Sequence, residues 1–172
     1  MDQTVRQELL AMLPRLRRFA YGLTGSADSG DDLVQSACER ALTRLHQWQP
    51  GTRLDSWMFR IMKNLWLDDT RAGWRREVVT SSEVLEAVRG GDAEAESAVR
   101  LELGAVLDHI SRLPDAQRTV LLLVSVEGLS YKEAAAILEV PIGTVMSRLF
   151  RARQRLAAQL QDLARQQRII RE

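Results

Sequence analysis

The sequence predicts an all-α protein made of two small helical domains joined by a flexible linker. Apolar residues recur at the spacing of an amphipathic helix, and the alternation typical of a half-buried strand is scarce. Only four of the 172 residues are proline. An acidic stretch separates two basic ones along the chain. These observations predict one domain over residues 1–76, an acidic linker over 77–104 and a second domain over 105–172.

The charge pattern indicates two surfaces that bind polyanions. Residues 54–76 hold five basic and three acidic residues, and residues 141–172 hold seven and two. Between them, residues 83–102 hold six acidic residues and two basic ones. Lys63 and Lys132 are the only lysines, so 22 of the 24 basic residues are arginine, whose planar fork suits phosphates and base edges. The pattern fits two polyanion-binding modules better than one enzyme domain.

Several functional classes are disfavoured. No apolar run approaches the roughly 18 residues of a membrane helix, and charges interrupt the N-terminal stretch too early for a secretory signal. Cys38 is a lone cysteine, and with His46 and His109 it cannot complete a four-ligand zinc site without carboxylates at unusual spacing. Asp68 and Asp69 are adjacent on a helix, so they point apart and form no acid–base pair. We expect a soluble cytoplasmic protein that is not an enzyme and has no metal or cofactor.

Hydrophobic periodicity predicts helices in both halves of the chain. Pro14 is expected to kink or break the first of them. Leu42 and Cys38 are expected on the buried half of the second, and a turn is expected over residues 24–30 and a loop over 46–55. The predicted helices span residues 5–22, 31–47, 54–71, 101–113, 115–127, 131–138 and 141–161.

The segment from Gly128 to Leu156 has the outline of a helix-turn-helix. Ser130 and Glu133 have the S-x-x-E spacing of a capping box. Three consecutive alanines follow at residues 134–136, where they allow a second helix to cross closely. A short turn at Glu139 then precedes a proline, which is favoured in the first turn of a helix. Two helices around so short a turn are typical of this DNA-binding motif.

The second helix of this motif separates into an apolar and a polar side. The expected buried stripe is Ile142, Val145, Leu149, Ala152, Leu156 and Leu160. The polar side carries Thr144, Ser147, Arg148, Arg151 and Arg155. Such a helix can enter the major groove, where arginine pairs with guanine while serine and threonine contact bases or phosphates. The alternative is a solvated arginine-rich face on an ordinary bundle helix.

This segment resembles the C-terminal promoter-binding domain of bacterial extracytoplasmic-function (ECF) sigma factors of the sigma-70 family. The matching residues are Gly128, Ser130, Tyr131, Glu133, Ala134, Ala135, Ile137, Leu138, Pro141, Gly143, Thr144, Val145, Ser147, Arg148, Leu149, Arg151 and Ala152. The resemblance implies that this helix reads the −35 promoter element and adds Phe150 to the candidate contacts. Met146 stands where the family usually has Lys or Arg, and Glu139 replaces a common turn glycine. The predicted −35 face is Thr144, Ser147, Arg148, Phe150, Arg151 and Arg155.

The N-terminal half carries two further family motifs. Residues 31–35 (DDLVQ) resemble a helix that docks on the coiled coil of the RNA polymerase β′ subunit. The exposed side predicted there, called the docking face, is Asp32, Gln35, Ser36 and Glu39. Residues 56–68 resemble the helix that binds and melts the −10 element, and the preceding loop would cradle a flipped base. The predicted −10 face is Trp48, Arg53, Arg60, Lys63, Asn64 and Arg71.

The resemblance implies three kinds of partner: core RNA polymerase (β′ coiled coil and β flap), promoter DNA, and an anti-sigma factor that holds the two domains together. The alternative function is a stand-alone helix-turn-helix regulator that does not act through core polymerase. A third is a sigma mimic that titrates an inhibitor. The outward polar residues Arg60, Lys63 and Asn64 beside a Trp-bearing loop favour the sigma factor, since a sensor domain would not need them.

Overall fold

The structure is a computed structural model that describes residues 3–73 and 104–171. Most of the described residues are helical, with no strand among them, which confirms the predicted all-α fold. Residues 74–103, which include nearly all of the predicted linker, lie outside the described part. The helices are α1 (Gln3–Thr24), α2 (Ala27–Thr43), a short 3-10 helix (Leu45–Gln47), α3 (Leu54–Gly73), α4 (residues 104–111), α5 (Asp115–Leu121), α6 (Tyr131–Leu138) and α7 (Ile142–Arg171).

Helix α1 runs without interruption through Pro14, so the predicted break is wrong. Proline removes one backbone hydrogen bond, but Pro14 is exposed, where water can satisfy the carbonyl group left free. Buried residues on either side, Leu9 before it and Leu16 and Phe19 after it, pack both halves of the helix into one core. Tertiary packing therefore outweighs the local propensity.

Helix α2 begins and ends earlier than the periodicity predicts. Ser26 is its N-cap and accepts a hydrogen bond from the Ser29 N–H at 3.4 Å, so the helix starts inside the predicted turn. Gly25 has φ +72°, a conformation that glycine adopts without strain. The helix ends at Thr43, and Leu42 is 48% exposed although the apolar pattern places it inward.

The predicted helix-turn-helix is present. Ser130 Oγ accepts from the Glu133 N–H at 3.2 Å, and Glu133 Oε2 accepts from the Ser130 N–H at 2.8 Å, which completes the capping box. Glu139 ends α6 with φ 56° and is the one non-glycine residue with positive φ in the described part of the chain. This explains why a glycine would suit the turn at this position.

Helix α7 buries only part of its expected apolar stripe. Val145, Leu149 and Ala152 are at most 2% exposed, whereas Ile142 and Leu160 are 45% and 39% exposed. The expectation for these last two residues is wrong, since each keeps more than a third of its surface open to solvent although α5 and α6 both contact α7. Periodicity defines the face of a helix but not how far its neighbours extend along it.

The N-terminal helices α1–α3 and the C-terminal helices α4–α7 pack directly on each other. Helix α1 contacts α5 and the five-residue π-helix that follows it (Leu122–Val126), and α3 contacts α6. Arg118 on α5 donates to the Leu23 carbonyl at the end of α1, and its guanidinium lies 5.2 Å from the centre of the Trp66 ring on α3. Buried residues of both domains thus form one continuous core.

Candidate nucleic-acid and polymerase interfaces

The residues of the −35 face lie on an accessible side of α7. Ser147, Arg151 and Arg155 are exposed, and Thr144 and Arg148 are partly exposed. Phe150 is 63% exposed, which is unusual for so large an apolar side chain. Five of the six predicted residues therefore combine hydrogen-bonding groups with access to a groove-sized ligand.

An apolar strip beside these residues was missed by sequence reasoning. Ile142, Met146 and Phe150 follow one another at intervals of four residues, so they lie on the same side of α7, and each is at least 45% exposed. The sequence analysis places Ile142 in the buried stripe and Phe150 on the −35 face, so it does not join the three residues into one exposed strip. Exposed apolar side chains of this kind can contact the methyl groups of thymine.

Lys63 departs from the outward orientation that the sequence predicts. It is 5% exposed, and its Nζ donates to the Ile137 carbonyl at 3.2 Å and lies 3.9 Å from Glu139 Oε2. Burial lowers the pKa of Lys63, and the nearby carboxylate acts in the opposite direction. Lys63 is buried because α6 covers this part of α3, which periodicity within α3 cannot reveal.

Two more residues of the −10 face contact α6. Arg60 Nη2 donates to the Ala136 carbonyl at 2.9 Å, and Arg53 forms an ion pair with Glu133. Arg53 also donates to both carboxylate oxygens of Asp55, at 3.0 and 2.7 Å. The arginines thus bind acceptor oxygens at both ends of one short helix.

The other residues of the −10 face remain accessible. Asn64 and Arg71 are exposed. Trp48 is partly buried, and its indole Nε1 is buried without a hydrogen-bond partner in the described part of the chain. It lines a cavity of about 710 Å³ between the loop, α3 and α6, together with Arg53, Arg60 and Asn64. The cavity therefore brings an aromatic residue and cationic side chains together.

The docking face lies on the outer side of α2. Asp32, Gln35, Ser36 and Glu39 are all exposed, and Gln35 Nε2 donates to Glu39 Oε1 at 3.1 Å. Cys38 lies outside this face and is partly buried, and burial raises the pKa of its thiol. The polar residues thus form one continuous accessible surface.

A buried charge cluster joins the domains and was not predicted. The Glu127 side chain is fully buried and accepts from Arg15 Nε at 3.1 Å and from Arg18 Nε and Nη2 at 3.0 Å. Arg15 also donates to Asp55 at 3.1 Å. The i, i+3 spacing of the two arginines is visible in the sequence. Their partner, more than 100 residues away, is not.

Acid is expected to weaken the contacts of two carboxylates at the boundary between the domains. Burial raises the pKa of Asp55, but hydrogen bonds from Arg53, Ser56 and Arg15 outweigh burial and hold it below its ordinary value. Hydrogen bonds from Ser130 lower the pKa of Glu133, with Arg53 contributing. A carboxyl group whose pKa is lower in the folded protein than in the unfolded protein stabilises the folded state. This stabilisation is fully present above the unfolded pKa, about 4, and is lost as the pH falls through the folded pKa.

We therefore expect the free energy of unfolding to change little between about pH 7 and pH 5 and to decline below about pH 4. Urea denaturation followed by circular dichroism at a series of pH values measures it. Asp55→Asn should show a shallower decline than the parent chain because one titrating carboxyl is gone. Equal declines in the two proteins would contradict the depressed pKa of Asp55.

The two helical domains, the second of which holds the capped helix-turn-helix, both match families of sigma-factor domains. Residues 103–156 match the family described as sigma-70, region 4, and residues 9–63 match the Sigma2 domain of PhyR. The chain is 41% identical over 164 residues to the ECF RNA polymerase sigma factor EcfG of Rhodopseudomonas palustris (strain TIE-1), covering 93% of this chain and 87% of that protein. The chain belongs to the ECF RNA polymerase sigma factors.

Other relatives and solved structures agree. The chain is 31% identical to the ECF RNA polymerase sigma factor SigW of Bacillus subtilis (strain 168), covering 87% of this chain and 84% of SigW. The sigma factor RpoE, solved in complex with the anti-sigma factor NepR from Bartonella quintana, superposes with a TM-score of 0.77 at 32% identity, over 91% of this chain and 96% of RpoE. CnrH, solved in complex with the cytosolic domain of CnrY, superposes with a TM-score of 0.67 at 26% identity, over 94% and 90%.

Membrane insertion finds no support in the described residues. None of the helices formed by residues 3–73 and 104–171 combines the length and the apolar character that crossing a bilayer requires.

Proposed function

We propose that this sigma factor docks on core RNA polymerase through α2 and contacts promoter DNA at two points, the −35 element through α7 and the −10 element through α3 and the Trp48 loop. The observation that carries the proposal is the accessible −35 face on a capped helix-turn-helix. The chain catalyses no reaction itself because polymerase supplies the chemistry. It acts in the cytoplasm, where core polymerase is found.

At the −35 element, α7 lies in the major groove. Arg148 and Arg151 are placed to pair with guanine edges, while Ser147 contacts a base or a phosphate. Met146 stands where the family usually has a cationic residue, so one phosphate contact is replaced by an apolar one. Met146 and Phe150 favour thymine at the positions they cover.

At the −10 element, the cavity beside Trp48 receives a base flipped from the non-template strand. Stacking on an aromatic ring contributes about 1–3 kcal/mol per base. Extracting the base costs a few kcal/mol, so the two terms nearly balance. Melting then depends on the contacts that polymerase adds, which is why the chain acts as a subunit of a larger assembly.

Two protein partners follow from the proposal. The docking face on α2 binds the β′ coiled coil, and the C-terminal domain binds the β flap. An anti-sigma factor is the second partner. Support comes from the sigma factor RpoE and from CnrH, each solved in complex with a separate polypeptide, NepR and CnrY respectively.

Run-off transcription with core polymerase on a genomic promoter pool tests the proposal. We expect the chain to direct initiation at one promoter class, and to bind duplex DNA only weakly when polymerase is absent. Asp32→Arg should weaken core binding by about tenfold or more, since it replaces an attraction by a repulsion across the interface. Glu8→Arg makes the same charge reversal on the exposed side of α1, outside the docking face, both DNA faces and the C-terminal domain, and should leave core binding unchanged.

Two outcomes would contradict the proposal. Initiation that does not change when the chain is added to core polymerase would favour a stand-alone regulator. Unchanged core affinity of Asp32→Arg, with helix content intact, would show that α2 is not the docking surface.

A further inference from the structure

Three large apolar side chains that the fold leaves exposed lie together on α7. Ile142, Met146 and Phe150, which form the apolar strip, are 45%, 52% and 63% exposed. They occupy consecutive turns of one helix, so their surfaces join into one patch. Single exposed apolar residues are common on proteins, whereas a joined patch indicates a surface that another molecule covers. The apolar strip therefore points to an occupant.

The apolar strip forms one edge of the accessible side of α7. At about 100° per residue, Ile142, Met146 and Phe150 lie at about 0°, 40° and 80° around the helix axis. Ser147 and Arg151 follow at about 140° and 180°. Both are exposed residues of the −35 face. A ligand that lies against Ser147 therefore meets an apolar edge on one side and a cationic edge on the other.

The length of the apolar strip matches a few base pairs. Its ends, Ile142 and Phe150, are eight residues apart, which is about 12 Å along a helix that rises 1.5 Å per residue. Base pairs of B-DNA are spaced by about 3.4 Å, so the strip spans about three or four of them. It also lies at the start of α7, and the N-terminal residues of a recognition helix are the ones that contact base edges.

Charge favours DNA as the occupant. Residues 141–161 hold four arginines and no acidic residue. A partner that covers the apolar strip also comes close to Arg151, so it has to carry negative charge near its own apolar groups. The major groove of DNA meets both conditions, because phosphates line it and the C5 methyl group of thymine is the apolar group that its base edges present.

We infer that the apolar strip binds the C5 methyl groups of thymines that are neighbours on one strand of the −35 element, and that Met146, at its centre, determines this specificity. A single strand is expected because the apolar and cationic edges of a helix in the groove face opposite strands. The unbranched, flexible side chain of Met146 can adapt to the methyl groups on either side of it. The inference rests on the proposed function, since it takes α7 to lie in the major groove.

Deoxyuridine tests the inference because it differs from thymidine only by the missing methyl group and keeps its base pairing. The probe is a fluorescein-labelled promoter fragment that supports run-off transcription, with each thymine of the −35 element replaced in turn by deoxyuridine. Fluorescence anisotropy measures binding of the holoenzyme, core polymerase with the full-length chain. We expect each contacted methyl group that is removed to weaken binding by about fourfold, at adjacent positions of one strand only.

Met146→Ala connects the effect of the methyl group to the apolar strip. Met146 is exposed and alanine is the better helix former, so α7 keeps its stability. At the position that Met146 covers, the ratio of affinities for thymine and deoxyuridine should fall from about four to about one. The matched control is Gln161→Ala, which shortens another exposed, unbranched side chain of α7 beyond the −35 face and should keep every ratio.

5-Methylcytosine separates recognition of the methyl group from recognition of other features of thymine. Cytosine is placed at a position where deoxyuridine weakens binding, with and without a C5 methyl group. The methylated form should bind about fourfold more tightly, since its methyl group occupies the same place in the groove as that of thymine. Equal affinity for the two forms of cytosine would overturn the inference.

Three further results would also overturn it. Unchanged binding after every deoxyuridine replacement, or a −35 element without adjacent thymines on one strand, would mean that the apolar strip serves a protein partner instead. An effect of deoxyuridine that persists in full in Met146→Ala would assign it to the shape of the DNA. A parent chain that fails to direct core polymerase would instead refute the proposed function, so the two failures are distinguishable.

Discussion

Phe19→Ala is expected to lower the free energy of unfolding by about 3–5 kcal/mol, the range for deletion of a buried aromatic side chain. Phe19 is fully buried on α1, and its ring centroid lies 4.8 Å from that of Phe59 on α3, at an interplanar angle of 59°. Such tilted pairs add to the benefit of burial alone. Because small proteins are stable by about 5–15 kcal/mol, this change would remove a large part of the stability.

Urea denaturation followed by circular dichroism measures this effect. The control is Leu10→Ala on the same helix, where the side chain is 58% exposed and truncation should change stability by less than about 0.5 kcal/mol. A loss below about 1 kcal/mol for Phe19→Ala would contradict the central position of the aromatic pair in the core.

Arg151→Ala is expected to cost about 1–3 kcal/mol of binding free energy at one base pair of the −35 element, which is about a 5–150-fold loss of affinity. The reason is that Arg151 is exposed on the −35 face, where its fork can donate two hydrogen bonds to guanine. Binding of polymerase holoenzyme to promoter variants, each changed at one −35 position, measures the effect. The discrimination should be lost at one position and kept at the others.

Arg165→Ala provides the matched control. Arg165 is exposed near the end of α7, beyond the −35 face, and lies 4.0 Å from Asp162. Its removal should leave the discrimination intact at every position. If Arg151→Ala instead weakens binding equally on all sequences, with a smaller dependence on salt, Arg151 contacts a phosphate rather than a base.

The helix-turn-helix could be predicted because its signals are local. The capping box joins residues three positions apart, and Ser130 and Glu133 form it as the spacing indicates. The exposed docking face on α2 follows from the helical period in the same way. Errors at α1 and α2 arose where one local signal was given too much weight, Pro14 in the first helix and the polar residues after Gly25 in the second.

Contacts between distant residues could not be predicted in this way. Lys63 has the position of a solvent-facing residue on α3, yet it donates to the carbonyl of Ile137, 74 residues later. Glu127 has no feature that distinguishes it from a surface glutamate, and its arginine partners lie on α1. The exposure of Ile142 likewise depends on where neighbouring helices end.

The amino-acid sequence by itself therefore determined the helical class and the family motifs, and it supplied the candidate residues for binding DNA and polymerase. It did so because helical period, capping and turn chemistry act over a few neighbouring residues. Only the tertiary structure decided that the two domains pack together and that α6 covers Lys63. Charge complementarity and close packing between segments far apart in the chain select that arrangement, and no spacing within either segment encodes it.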